Sequence, residues 1–303
     1  MEKIYESEIQ PTKIRDFREL FERPLIEFGD GPAFKVKIKN NKNVKEYRTI
    51  NNSKFISDYK ALGTFMYKMG LKGKSVAIVS ENRYEWCVSY AAVTCGLGVV
   101  VPLDRSLKFE ELEAAIIRSE VEAVVYSKKY AQDVKKIRKN KDCKLKYLIN
   151  MDEEKSNRKE LSFYESIDKG NEFLEKGYNS YIKSEINPKA MSILLFTSAT
   201  TGNSKLVALN QEAICNNVGA TDAVFDLTRN DVILSFLPLN HVFEATVGFL
   251  YAYYAGTLIA YSDGIKHLAE NMKEYKVTCM ISVPLLYGCL LYTSDAADET
   301  LWV

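Results

Sequence analysis

The sequence predicts an α/β fold in which parallel sheets, flanked by helices, form two subdomains, about 1–185 and 186–288. Three observations predict it. Short apolar runs alternate with longer amphipathic stretches, as strand–helix–strand units require. The runs "SVAIVS" (75–80) and "VEAVVYS" (121–127) are nearly continuous in apolar residues, as strands covered on both faces are. The chain of 303 residues is 47% hydrophobic and 27% charged, enough apolar material for a large core and no disordered composition.

Each element follows in order. Ile14, Phe17, Leu20, Phe21, Leu25 and Phe28 recur at helical spacing and open the fold with an amphipathic helix, which "GDGP" (29–32) ends. "AFKVKIK" and "VKEYRTI" alternate and form a hairpin around "NNKN". The next helix takes Asn52 or Ser53 as its cap and turns Phe55, Tyr59, Leu62, Met66 and Met69 inward. Then come strand "SVAIVS", helix "RYEWCVSYAAVTCG" with Trp86 and Tyr90 in the core, strand "GVVVPL", helix "KFEELEAAIIRSE", and strands "VEAVVYS" and "KLKYLINM". The lysine-rich run Lys128–Lys146 spaces Tyr130, Val134 and Ile137 as one amphipathic helix with a solvated basic face. Residues 152–189 are polar and predict a surface connection with one short helix. A second strand–helix set starts at "AMSILLF" and continues through helix "QEAICNNVGATDAVF", strand "VILSFLPL", an apolar helix, strand "TLIAYS", a helix over 265–275 and strand "VTCMISVP".

Composition excludes several function classes. The net charge of +1 supplies no field for nucleic acid or an anionic membrane. The 6 cysteines are scattered without a C-x-x-C pair, which suggests a reducing, cytoplasmic setting. The 2 histidines, His241 and His267, lack zinc-site spacing. The uncharged stretch Ala245–Ser262 just reaches membrane-spanning length, yet its tyrosines and the break at Gly256 favour a buried helix followed by a strand.

The densest chemistry is "TSATTGNSK", Thr197–Lys205, directly after an apolar strand. Its hydroxyls, one glycine and one lysine suit a phosphate, but Gly202 and Lys205 are not adjacent as in the G-x-x-x-x-G-K-[ST] loop, and the apolar "LVAL" follows. The loop is therefore expected to join two strands, binding phosphate through hydroxyls, turn amides and Lys205, with Asn210 capping a later helix. A plain polar turn is the bland alternative.

"LLFTSATTGNSKLV" resembles the phosphate-loop signature of the adenylate-forming (AMP-binding) superfamily, which includes acyl-CoA synthetases, luciferases and peptide-synthetase adenylation domains. "LPLNHVFE" (237–244), "VAIVSENRYEWCVSYAAVTCGLGVVVPLD" and "MISVPLLYG" are similar to its other motifs, in the expected order, and the likeness is nearest to bacterial long-chain fatty-acid–CoA ligases. The resemblance implies the large N-terminal domain of such an enzyme, truncated. It implies that a fatty acid carboxylate attacks the α-phosphorus of ATP, giving acyl-adenylate and pyrophosphate, and that coenzyme A then displaces AMP. By motif position Thr197, Ser198, Thr200, Thr201, Gly202, Ser204 and Lys205 contact the phosphates, Thr197 also meets Mg²⁺, and Lys205 and His241 are the catalytic candidates, His241 beside the acyl carboxylate. Glu244 is structural on this reading. The implied partners are the small molecules ATP, fatty acid and coenzyme A, not nucleic acid. Acyl chain length, peripheral membrane association and oligomeric state are left open, as are another carboxylate, a carrier-protein acceptor, a non-catalytic nucleotide-binding role and, least favoured by the lysine spacing, a γ-phosphate-cleaving NTPase.

Two departures stand out. Ala199 and Leu206 replace family glycines: alanine stiffens the loop if position 199 needs positive φ, and Leu206 places a bulky side chain where the family usually has none, which makes turnover less certain. The family's later motifs are not in the chain, and "CLLYTSDAADE" (289–299) resembles a translated transposase sequencing adapter, so residues 289–303 are set aside, Cys289 included. The expectation is a fragment with an exposed sheet edge, poor solubility and no ligase activity of its own.

Overall fold

The computed structural model describes residues 10–38, 46–197 and 205–284. In chain order the strands are β1 (Pro32–Ile38), β2 (Glu46–Asn51), β3 (Ser75–Val79), β4 (Val99–Pro102), β5 (Val121–Tyr126), β6 (Tyr147–Asn150), β7 (Leu161–Ser162), β8 (Met191–Thr197), β9 (Lys205–Asn210), β10 (Val232–Ser235), β11 (Leu258–Tyr261) and β12 (Cys279–Met280). They form a 7-stranded sheet, β7-β6-β5-β3-β4-β8-β9, and a 5-stranded sheet, β12-β10-β11-β1-β2. All pairings are parallel except the β1–β2 and β8–β9 hairpins, so the α/β class with helix-flanked parallel sheets is what the chain adopts. Each sheet draws strands from both sides of residue 185.

Alternation along each strand separates three apolar layers. Val76 and Ile78 of β3 join the largest cluster, between the sheets, whereas Ala77 and Val79 face the outer helices Phe109–Arg118 and Ala131–Ile137. On the other sheet Ile233 and Ile259 face the shared core, and Leu234 and Ala260 face the helix Leu268–Tyr275. The helix Tyr84–Thr94 lies in the middle layer and is buried on all sides. It packs on β3 and β4, while the Cys87 thiol meets the Tyr261 hydroxyl of β11 at 3.2 Å. A helix apolar all round fits only such a position.

Several expectations need correction. The helix Asn52–Lys68 is not capped by its own Asn52 or Ser53. Asp30 reaches across from the preceding turn, its carboxylate accepting from Ser53 N at 2.8 Å and from the Ser53 hydroxyl at 2.8 Å. The lysine-rich run is not one helix. It folds as the 3₁₀ turn Lys128–Tyr130 and the helix Ala131–Ile137, then leaves helical geometry where the Asn140 side chain accepts Asp142 N. Lys144 and Lys146 pair instead with Glu120 and Glu122 beside β5, each at 2.7 Å. The polar 152–189 segment is more than a connection: it supplies edge strand β7 and the helix Phe163–Glu175, and it buries Phe163, Ile167 and Tyr181. The apolar stretch does form a helix ending at Gly256 and then β11, as expected, but its first part, Glu244–Tyr251, is π-helical.

The helix Phe163–Glu175 sits close to Asn52–Lys68 because Gly170 has no side chain. A Cβ there would lie 1.9 Å from the Ala61 carbonyl oxygen, a backbone atom that cannot swing aside. Gly170→Ala is expected to cost about 2–3 kcal/mol through overpacking, measured as a lowered urea midpoint.

Candidate functional site

β8 and β9 form an antiparallel hairpin with a register shift between Met191 and Ile193, and its last pair is Thr197 opposite Lys205. The strand–loop–strand form expected for "TSATTGNSK" is therefore present. Ser198, Ala199, Thr200, Thr201, Gly202 and Ser204 lie outside the described residues. Thr197 and Lys205 stand exposed at the two ends of that last pair. Leu206 pairs with Phe196 inside the hairpin. Among the described residues only Glu120 and Lys276 are non-glycine positions with positive φ, so leucine at 206 sits in ordinary strand geometry without backbone strain. The Arg118 guanidinium lies over the Phe196 ring at 5.5 Å, a cation beside the hairpin that the linear sequence did not signal. β9 runs directly into the helix Gln211–Asp222, whose Asn210 cap accepts from Ala213 N at 2.9 Å as expected.

His241 belongs to the other sheet. β10 ends at Ser235, and the chain then turns through Leu237–Asn240 into the π-helix. The turn closes through His241 N donating to the Pro238 carbonyl at 2.9 Å, and Ala245 N donates back to the His241 carbonyl at 3.0 Å. The imidazole is exposed, and its Nδ1 accepts from Phe243 N at 3.4 Å. Three residues on, Glu244 is only 1% exposed. Ser235 Oγ donates to its Oε1 at 2.7 Å, and its Oε2 has no partner among the described residues. Burial pushes this carboxyl up to about 8, with the Ser235 hydrogen bond pulling the other way. Burial of this kind favours the neutral carboxyl over the carboxylate.

The helix that follows the hairpin and the helix that follows His241 pack against each other and leave an apolar groove of about 450 Å³. Ala220, Val224 and Phe225 line one wall and Val242, Phe243 and Val247 the other. Val224 and Phe225 are 66% and 62% exposed, an apolar surface that sequence periodicity did not single out because it lies past the helix end. Among the described residues no hydrogen bond or ion pair joins Thr197 or Lys205 to His241. None of the three lines this groove; the hairpin leads through Asn210 into the helix of one wall, and His241 directly precedes Val242 and Phe243 of the other. Such an arrangement can hold an anion at the hairpin mouth and an apolar chain between the helices. Mg²⁺ takes oxygen ligands and retains substrate phosphates in its shell, so the exposed Thr197 hydroxyl is of the right class for one position.

Comparison with known proteins now decides the family. The model of the AMP-binding enzyme family matches residues 26–300. The chain belongs to the AMP-binding enzyme family. Within it, Long-chain-fatty-acid–CoA ligase 5 of Rattus norvegicus is 28% identical over 286 residues, covering 88% of this chain and 40% of the rat protein. Long chain acyl-CoA synthetase 3 of Arabidopsis thaliana is 27% identical over 236 residues, covering 74% of this chain and 35% of that protein. This AMP-binding chain thus spans about two fifths of the length of such relatives. A long-chain-fatty-acid-CoA ligase from Archaeoglobus fulgidus superposes with TM-score 0.77 at 21% identity, covering 95% of this chain and 55% of the other. ATP-bound MatB from Rhodopseudomonas palustris superposes with TM-score 0.71 at 20% identity, covering 90% and 50%. At these identities the structures establish the family's fold. Among the described residues no helix is long and apolar enough to cross a membrane.

Proposed function

We propose that this chain forms the nucleotide- and acyl-binding part of an AMP-forming fatty-acid–CoA ligase. One observation supports the reading above the others: the serine- and threonine-rich hairpin feeds a helix that, with the helix after His241, walls an apolar groove. A fatty acid has an apolar chain that suits this groove and a single anionic end that suits the exposed His241 beside it. The similarity to long-chain ligases over 286 residues favours that acid class over others.

On this reading the acyl chain lies between Val224, Phe225, Val242 and Phe243, with its carboxylate toward the exposed His241. MgATP binds with its β- and γ-phosphates in the 197–205 loop. The carboxylate oxygen bonds to the α-phosphorus, the bond from that phosphorus to the bridging oxygen breaks, and pyrophosphate leaves with the electron pair. Lys205 and the loop hydroxyls stabilise the charge that grows on the leaving group. Thr197 would hold the Mg²⁺ of the triphosphate through its hydroxyl, and the metal would supply charge neutralisation for the leaving pyrophosphate. Coenzyme A thiolate then attacks the acyl carbon and AMP departs. No protein nucleophile is required. Consistent with that, the buried thiols are poor nucleophiles: burial raises Cys87 and Cys95 and pushes Cys215 up to about 12.

Lys205→Ala tests the phosphate role. Lys205 is exposed in the free chain, so its loss leaves the fold intact and removes one charge-assisted contact with phosphate. The ATP dissociation constant, measured by calorimetry, should rise about tenfold to a hundredfold. Unchanged affinity would favour a plain polar turn. ATP binding without acid-dependent pyrophosphate release would favour a non-catalytic nucleotide-binding protein.

A further inference from the structure

One side chain from the other sheet makes three hydrogen bonds to the segment that carries His241. Asn82 sits in the turn between β3 and the helix Tyr84–Thr94. Its Nδ2 donates to the Leu237 carbonyl at 2.7 Å and to Ser235 Oγ at 3.0 Å, and its Oδ1 accepts from Leu239 N at 3.1 Å. Ser235 Oγ in turn donates to Glu244 Oε1 at 2.7 Å. Both ends of the Leu237–Leu239 turn, the last residue of β10 and the first residue of the π-helix are therefore tied to a single carboxamide. His241 stands between the turn and the π-helix, fixed to Pro238 and Ala245 through its backbone.

The chemistry demands an amide. Two donations and one acceptance from one planar group are available to asparagine, whereas aspartate has no donor and serine cannot span both bonds. Ser235, Leu239 and Glu244 are each no more than 2% exposed, and Asn82 and Ser235 line a cavity of about 160 Å³ at the seam between the sheets. A single asparagine in a turn ordinarily caps a helix, yet no side-chain cap bond is made to the Tyr84–Thr94 helix. All three contacts of this carboxamide go across to the other sheet.

We propose that Asn82 is a positioning residue: it clamps the His241-bearing turn of the 5-stranded sheet to the 7-stranded sheet that carries the phosphate-loop hairpin. The functional meaning of the clamp rests on the ligase reading above. The clamp itself keeps the two halves of the candidate site in one register, and loss of the amide frees the turn without opening either sheet.

The test uses the 303-residue chain without substrate. Its 2 histidines give two imidazole Hε1 signals, so His241 is read against His267, which is exposed on the 3₁₀ turn Ile265–His267. In Asn82→Ala the Leu239 amide should exchange with solvent at least about tenfold faster, and the His241 signal should shift or broaden while that of His267 stays. Amides of β5 should keep their rates within about twofold. Asn82→Asp retains the acceptor for Leu239 N but neither donor, so it should accelerate that amide less while still moving the His241 signal. Unchanged Leu239 exchange and an unmoved His241 signal would overturn the proposal. Equal acceleration of Leu239 and β5 would also overturn it, because Asn82 would then be a general stability residue. If Asn82→Ala does not fold, Asn82→Asp is judged by the same two criteria. Absence of pyrophosphate exchange in the unsubstituted ligase would refute the ligase reading and leave the clamp standing, since these readouts need no substrate.

Discussion

Phe249→Ala should lower the stability of the chain by about 3–5 kcal/mol. Phe249 is fully buried in the π-helix, and its ring lies 5.7 Å from Phe21, 6.1 Å from Tyr90, 6.3 Å from Trp86 and 6.4 Å from both Phe34 and Phe55. These partners come from the first helix, from β1, and from the helices after β2 and β3. The ring therefore fills the point where both sheets and the central helices meet. Neighbours from so many elements cannot collapse together into the space left behind, which puts the cost at the upper end for a buried aromatic. Urea unfolding followed by tyrosine and tryptophan fluorescence measures it. A loss under about 1 kcal/mol would mean the centre is more plastic than close packing allows.

The second large effect depends on pH. The Glu244 carboxyl is raised from an ordinary 4.5 to about 8 by burial. The native state therefore holds a proton that the unfolded chain releases between those values. Stability consequently falls as pH rises through that window, and the loss is complete above the native value. Glu244→Gln keeps the shape and the acceptor for Ser235 but has nothing to ionise. Below pH 5 the two proteins should be similarly stable, and by pH 9 the variant should lead by roughly 3–5 kcal/mol. Denaturation midpoints at intervals across that range decide it. Parallel curves would show that Glu244 is ionised in the native state and paired with a cation.

These two residues also show what the linear sequence reveals. Every strand of the second half was visible because β8, β10 and β11 are apolar runs of strand length bounded by turn residues. The hairpin at Thr197–Lys205 was visible because "LVAL" cannot begin a capped helix. The π-helix was not. A segment apolar all round, such as "ATVGFLYAYYA", has no polar face whose recurrence could separate one helical period from another. The helix Phe163–Glu175 was underread for the opposite reason, since few large apolar residues mark its buried side and its fit depends on Gly170. The cap from Asp30 and the clamp from Asn82 are long-range side-chain contacts, which local propensity does not encode. For the candidate site, sequence pattern located Thr197, Lys205 and His241, but only the fold shows that they lie on different sheets and that the helices following them wall a groove.

Fatty-acid-dependent exchange of labelled pyrophosphate into ATP tests the central claim most directly. On the proposed reading, exchange occurs with a fatty acid present and is lost when the acid is withheld, and Lys205→Ala should reduce it about tenfold or more at subsaturating ATP. Exchange that ignores the acid, or release of orthophosphate in place of pyrophosphate, would contradict the account.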